Sequence, residues 1–255
     1  MTNKEMLCTA LKQSALELNC TVDDLTRGEG KAVISMAAEG VRKYLSLPFY
    51  CQLVSYGSGI VASVNEEIYA DAKAYIEKYA PEHCFETPNM LVLQSALERR
   101  GMSACFMAEY WLCDTDAIRM IDCGYELRLL TAEDFAPLYT PQWSNALCEK
   151  RKELDVLGIG AYDGEKLVGL AGCSADCESM WQIGVDVLPE YRRRGIASAV
   201  TSRLAAEIMA RGKVPFYCCA WSNVASARNA IRAGFRPAWV ELTAKSAEYT
   251  ADMNK

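Results

Sequence analysis

The residues Tyr191-Arg192-Arg193-Arg194-Gly195-Ile196-Ala197-Ser198 have types and spacing suited to anion chemistry. They follow an apolar, strand-like run from Ile183 to Leu188 and open a helical pattern from Ala197 to Arg211. A strand that feeds a glycine turn and then a helix leaves several backbone N–H groups without an internal partner. Those donors and the positive end of the helix dipole attract an anion. Gly195 lets the backbone approach that anion closely and tolerates a positive φ. The arginines add positive potential in a chain whose net charge is −6. The chemistry expected of the turn is phosphate binding.

The elements that must position this turn are legible on both sides of it. Upstream, Tyr125 to Leu130 alternates as a strand does. Thr131 and Asp134 have capping-box spacing at a helix start, and a second helix is expected from Ser144 to Lys152. Val156 to Tyr162 and Lys166 to Ser174 read as strands joined by the tight turn Asp163-Gly164, and Met180 to Leu188 is the next strand. Downstream, a strand is expected over Val214 to Ala220, a helix over Asn223 to Ala233 and a strand over Pro237 to Thr243. The first part of the chain reads as a helix over Met6 to Leu18, a short strand from Lys31 to Met36, and two strands, Cys51 to Tyr56 and Ile60 to Val64, around Gly57-Ser58-Gly59. Asn65 caps a helix that runs to Ala80 and stops at Pro81, Asn89 starts another that ends near Gly101, and Ser103 to Leu112 is a strand. Cys113 to Gly124 lacks periodicity, so the boundary falls there, with domains at 1–122 and 123–255.

Bulk properties narrow the function. The chain has 255 residues, 51% of them hydrophobic and 24% charged, which is enough to bury one large core or two small ones. The acidic balance excludes a general nucleic-acid surface, which needs a dense Lys/Arg face. No apolar run approaches ~20 residues, so no membrane span is expected. Met1 to Met6 has no basic segment leading into an apolar one, so the expectation is a cytoplasmic protein. The twelve cysteines are then reduced thiols, mostly buried. Cys173-x-x-x-Cys177 and Cys218-Cys219 lack structural zinc spacing, and His83 is the only histidine, so no metal is expected.

Arg192-x-x-Gly195-x-Ala197, after a strand that ends Val187-Leu188-Pro189-Glu190, resembles the acyl-CoA pyrophosphate loop of the GCN5-related N-acetyltransferases (GNAT). Asn223 at the start of the last helix and Gly234-Phe235 after it match the family in register, and the element order from Tyr125 to Lys245 is similar to the GNAT core throughout. The resemblance implies an α/β (α+β) class: a GNAT acyl-CoA transferase fold with a mixed, largely antiparallel sheet, preceded here by a small α+β domain. The long N-terminal extension is similar to that of a GNAT subgroup that includes zwittermicin-resistance acetyltransferases. Acetyl-CoA is the implied cosubstrate.

The resemblance also implies site roles. The N–H groups of Arg193, Arg194, Gly195, Ile196, Ala197 and Ser198 would cradle the pyrophosphate, with Arg193 and Arg194 side chains in reach. Pantetheine would lie between the strands Met180–Leu188 and Val214–Ala220, bound by backbone groups of Val185 and Val187, and the Val187 N–H would donate to the thioester carbonyl. Asn223 matches a position that contacts the CoA arm; it also suits an N-cap, and both roles are compatible. Many GNAT enzymes carry a tyrosine four residues before the glycine of Gly-Phe, where this chain has Ala230. The acid role is therefore open among Ser226, Ser222 and Tyr217, with Asn229 able to orient a water but not to act as an acid. Glu178 is the first candidate base and Asp186 the second, against the plainer reading of both as surface or capping acids. Trp143, Asn145, Glu149, Cys173 and Ser174 are candidates for the acceptor pocket, although a tryptophan such as Trp143 is more often core. The expected function is transfer of an acetyl group to an amine of a small molecule, by direct attack in a ternary complex. A non-catalytic acyl-CoA-binding sensor and a protein or peptide N-acetyltransferase are the alternatives, and a homodimer is left open.

Overall fold

The computed structural model describes residues 1–255. Ten strands are formed: β1 (Gly30–Ile34), β2 (Cys51–Ser55), β3 (Ile60–Val64), β4 (Met102–Cys113), β5 (Glu126–Thr131), β6 (Asp155–Asp163), β7 (Lys166–Ser174), β8 (Met180–Val187), β9 (Val214–Ala220) and β10 (Phe235–Ser246). The α-helices are α1 (Asn3–Leu18), α2 (Val22–Thr26), α3 (Tyr69–Lys78), α4 (Thr87–Glu98), α5 (Ile196–Ala210), α6 (Val224–Arg232) and α7 (Ala247–Met253). None of these helices is long and apolar enough to cross a membrane.

The chain divides into two compact units, and their limits differ from a linear split at 122/123. One unit is Met1–Thr9 with Trp111–Pro237; the other is Ala10–Tyr110 with Ala238–Lys255. The limits fall inside α1, β4 and β10, so no loop composition marks them.

In the Ala10–Tyr110 unit, β2 and β3 form the antiparallel hairpin expected around Gly57-Ser58-Gly59, and β1 adds in parallel to β3. The Val240–Thr243 part of β10 pairs antiparallel with β2. Leu53, Ile60, Ala62 and Val64 from the strands pack with Ile68, Ile76, Leu97 and Leu242 into one core. The same unit buries a charge: the Arg42 guanidinium, 2% exposed, is paired with Glu17 at 2.6 Å and Glu241 at 2.9 Å. Trp239 Nε1 donates to the same Glu241 carboxylate at 2.7 Å.

In the Trp111–Pro237 unit the strand order is β9-β8-β7-β6-β5. All neighbours are antiparallel except β8 and β9, which run parallel. Such mixed pairing fits the largely antiparallel sheet expected. The two early α-helices expected before β6 are instead short 3₁₀ turns at Ala132–Asp134, Ala136–Leu138, Pro141–Trp143 and Glu149–Leu154. Two causes are visible. Pro137 and Pro141 carry no N–H for a helical ladder. Beyond them, the N–H groups of Asn145 and Ala146 donate to the Asp186 carboxylate and that of Cys148 to Asp155, so they are not available to carbonyls one turn back. The Thr131–Asp134 spacing does its work all the same: the Asp134 carboxylate accepts from the Thr131 N–H at 2.8 Å.

Candidate acyl-CoA site

The turn singled out in the sequence lies between β8 and α5. Gly195 is the N-cap of α5 with φ +82°, the left-handed region that glycine enters without cost. Arg193 also has a positive φ, 63°. The two left-handed residues bend the chain so that the N–H groups from Arg193 to Ser198 find no acceptor in the protein; the first recorded backbone bond of the helix is Ala199 N–H to Gly195 O at 3.1 Å. Successive free donors at a helix start form an anion cradle.

The arginines divide their work. Arg192 Nε donates to the Val187 carbonyl at 3.1 Å and closes the turn onto the end of β8. Arg194 is turned back, donating to the Tyr125 hydroxyl at 2.8 Å and the Glu190 carbonyl at 3.1 Å, with its guanidinium over the Tyr191 ring. Arg193 is exposed and has no ion pair in the protein. Of the two side chains expected to reach phosphate, Arg193 is the one left to do so.

The parallel pairing of β8 with β9 runs from Met180↔Val214 to Ile183↔Tyr217 and ends there. Beyond that point β8 continues to Val187 and β9 to Ala220 without pairing to each other, while β8 stays paired with β7 up to Gly169↔Val187. Leu188 N–H donates to the Val168 carbonyl at 3.0 Å, so Leu188 faces β7. Backbone groups alternate in direction along a strand. Val187 and Val185 therefore direct their N–H and C=O groups into the opening on the β9 side. An amide-bearing chain laid there would be bound as an added strand is bound.

On one face of β8 the sequence leaves room for backbone. A methyl group at Gly184 would overlap the Asn145 carbonyl, and one at Gly172 the Ala146 carbonyl, so these glycines let the Asn145–Ala146 segment lie on the sheet. Asp186, on the same face as Gly184, fixes that segment: its carboxylate accepts from Asn145 N–H at 2.8 Å, Asn145 Nδ2 at 2.7 Å and Ala146 N–H at 2.9 Å. Asp186 is thus occupied as a loop anchor. Glu178, the first candidate base, is exposed in the turn before β8, about 20 Å along the strand from Val185 at the usual rise per residue. The structure does not bring it to the opening.

The other candidates are placed as follows. Asn223 caps α6, accepting from Ser226 N–H at 3.1 Å. Ser226 Oγ is 2.7 Å from the Tyr217 hydroxyl. Asn229 spans two helices: its Oδ1 accepts from Ser198 Oγ at 3.0 Å and its Nδ2 donates to Thr201 Oγ1 at 3.2 Å. Trp143 is buried with Phe135, Leu147 and Leu170, yet its edge lines a cleft of about 580 Å³ with Leu138, Gln142, Lys166 and Leu188. Glu149 is exposed and pairs with Lys152 at 3.5 Å. Ser174 Oγ donates to Asp176 at 2.8 Å. Burial drives the Cys173 thiol far above the ordinary thiol range, away from thiolate chemistry.

Two features were not singled out from sequence. Asp155 and Asp176 are both buried where β6 and β7 meet the Glu149–Leu154 turn. Burial raises the Asp155 carboxyl to about 6, against the pull of the Cys148 N–H, the Tyr139 hydroxyl and Arg151. The second is the contact between Tyr217 and Ser226, which the sequence names only as separate candidates and which lie nine residues apart. No sequence signal announces burial of an aspartate; the Tyr217 contact depends on the turn between β9 and α6.

The model of the GNAT acetyltransferase family matches residues 113–238. A GNAT-family protein of Novosphingobium aromaticivorans is 23% identical, with 56% of this chain and 66% of that chain covered and a TM-score of 0.45. A GCN5-related N-acetyltransferase of Sphaerobacter thermophilus is 19% identical, covering 64% and 57%, with a TM-score of 0.45. The structure of yncA from Salmonella typhimurium with its cofactor acetyl-CoA is 17% identical, covering 48% and 93%, with a TM-score of 0.34. The chain thus spans just under two thirds of the first of these relatives. No protein of curated function matches. From the family match and from the order and pairing of its strands, residues 113–238 form a GNAT acetyltransferase fold.

Proposed function

We propose that this chain moves an acetyl group from acetyl-CoA to an amine of a small molecule, by direct attack while both are bound. The observation that carries the reading is the opening between β8 and β9 past Ile183↔Tyr217, with the backbone of Val185 and Val187 directed into it and a run of free N–H donors at its end. The three parts of acetyl-CoA suit these features in order. The pyrophosphate suits the donors from Arg193 to Ser198, the pantetheine amides suit the edge of β8, and the acyl carbonyl suits the Val187 N–H. When bound, acetyl-CoA supplies an activated acyl carbon and a thiol leaving group.

The residues of the chain then hold and orient. Arg192 fixes the Val187 carbonyl, which fixes the plane of the neighbouring peptide groups. Asp186 holds Asn145 against β8, so the acceptor side of the opening has a rigid wall. The cleft beside Trp143 and Leu188, about 580 Å³, has room for a small acceptor. With Asp186 engaged and Glu178 distant, the amine loses its proton to water.

Thiol release from acetyl-CoA in the presence of a panel of small amines tests the proposal. Amine-dependent release at saturating acetyl-CoA is expected. Binding of acetyl-CoA without release by any amine would replace it with the sensor reading.

A further inference from the structure

We propose that Tyr217 is the acid that protonates the departing thiolate, its phenol reaching from β9 the position that a tyrosine at 230 would otherwise fill from α6. The inference rests on the acetyl-transfer reading above.

Ala230 is fully buried on α6 and has no proton to give. Helical side chains lean toward the N-terminus of their helix, so a long side chain at 230 would project over the preceding turn, onto Ser226 four residues earlier. That place is already held by a phenol, because the Tyr217 hydroxyl is 2.7 Å from Ser226 Oγ. Tyr217 is also the residue at which the pairing of β9 with β8 stops, so it stands where the opening begins. The ring is held by Phe235 at 6.0 Å between centroids. Asn229 acts on the same hydroxyl and is itself bonded to Ser198 in the first turn of α5. Asn229 thus carries polar contacts from the phosphate-binding turn to the neighbourhood of the phenol, whose own hydrogen bond is to Ser226.

The chemistry fits a neutral acid. Burial raises the pKa of Tyr217, helped by Cys219 and Cys218 and opposed by the hydrogen bonds from Ser226 and Asn229. The phenol is therefore protonated at neutral pH, as an acid in waiting must be. As the amine nitrogen bonds to the acyl carbon, the C–S bond breaks and its electron pair leaves on sulfur. The sulfur takes the phenolic proton. The phenolate regains a proton from solvent through the half-buried Ser226 hydroxyl, and the surplus proton of the amine goes to water. Ser226 is a relay and Asn229 a positioning residue.

The test uses the full chain with Tyr217→Phe and Ser226→Ala, checked for unchanged melting temperature and CoA affinity. The first readout needs no turnover: ultraviolet absorbance of the thiolate of bound CoA across pH. A phenol donating to sulfur favours the thiolate, so ionisation in wild type is expected about one pH unit below that in Tyr217→Phe, with Ser226→Ala close to wild type. The second is amine-dependent thiol release, in which kcat for Tyr217→Phe falls about 100-fold with KM for acetyl-CoA unchanged. Equal thiol ionisation in wild type and Tyr217→Phe, or a kcat within threefold, overturns the assignment. Should Tyr217→Phe not fold, the thiol of CoA bound to wild type decides: ionisation below that of free CoA supports the contact, and ionisation at or above it overturns it. Normal turnover with an indifferent Tyr217→Phe removes this assignment and keeps the acetyl-transfer reading. Lowered thiol ionisation without turnover for any amine keeps the contact and removes that reading.

Discussion

Gly195 sits at φ +82° with nothing but the Cys123 Cβ, 3.9 Å away, near the direction a side chain would take. Space is available and conformation is not. Gly195→Val is therefore expected to reshape the turn, because a β-branched residue resists that φ, and to abolish CoA binding by calorimetry while the rest of the sheet persists. A chain that still binds with native affinity would remove the pyrophosphate from this turn. Asp155 gives a different residue-scale expectation. Its carboxyl is held protonated up to about 6, above the usual 3.8. Between those values the folded chain retains a proton that the unfolded chain has lost. The resulting stabilisation, about 2–3 kcal/mol, is complete below about pH 4, declines as pH rises and is gone above pH 6. Asp155→Asn should flatten this dependence in melting experiments and should melt a few degrees above wild type at pH 7. The contrast between the two residues shows what could be read beforehand. Gly195 advertises itself through its neighbours in the chain, while the state of Asp155 depends on Arg151, Asp176 and Cys148 folding around it.

At the scale of elements, β8 joins two jobs that the sequence presents as one. Its Val185 and Val187 backbone faces the opening, and its Gly184 and Asp186 side carries the Asn145–Ala146 segment. Gly184→Ala places a methyl group against the Asn145 carbonyl, a backbone atom that cannot rotate away. A loss of about 2 kcal/mol in denaturant unfolding is expected, typical of overpacking against fixed structure. Asp186→Asn weakens the anchor without removing it. If Asp186 positions the wall, thiol release drops modestly and the pH profile keeps its shape; disappearance of a basic limb would instead make Asp186 the base. The strands around this site were legible from alternation and turn residues, and the start of α6 from Asn223. The segment before β6 was not. Its residues have helical spacing, but Asp186, forty-one residues from Asn145, takes the N–H groups that a helix would need. Local pattern cannot report so distant a competitor.

The molecule as a whole carries its candidate site within one unit, so ligand effects belong there. Acetyl-CoA at a hundred times its dissociation constant should stabilise that unit by about 2.7 kcal/mol, raising its melting temperature by several degrees. Gly195→Val should show no such rise. The other unit includes Val240–Thr243 as a strand beside β2, so a fragment ending at residue 122 lacks a piece of its own sheet. Such a fragment should give no cooperative unfolding transition by circular dichroism; a sharp transition would show that β10 is dispensable there. The domain boundary expected from composition placed the break where periodicity lapses. The structure breaks inside two strands and a helix, each continuous across the break, so no loop composition marks the boundary.

The ion pair between Arg42 and Glu241 joins residues 199 positions apart. Its consequence is temporal. On a ribosome, Arg42 is made 199 residues before Glu241, so this pair closes only once residues 238–255 follow the rest of the chain. Until then Arg42 has Glu17 but not Glu241 as an ion-pair partner. The Ala10–Tyr110 segment, though made early, thus completes neither its sheet nor its buried ion pair until the last stretch of its own unit arrives.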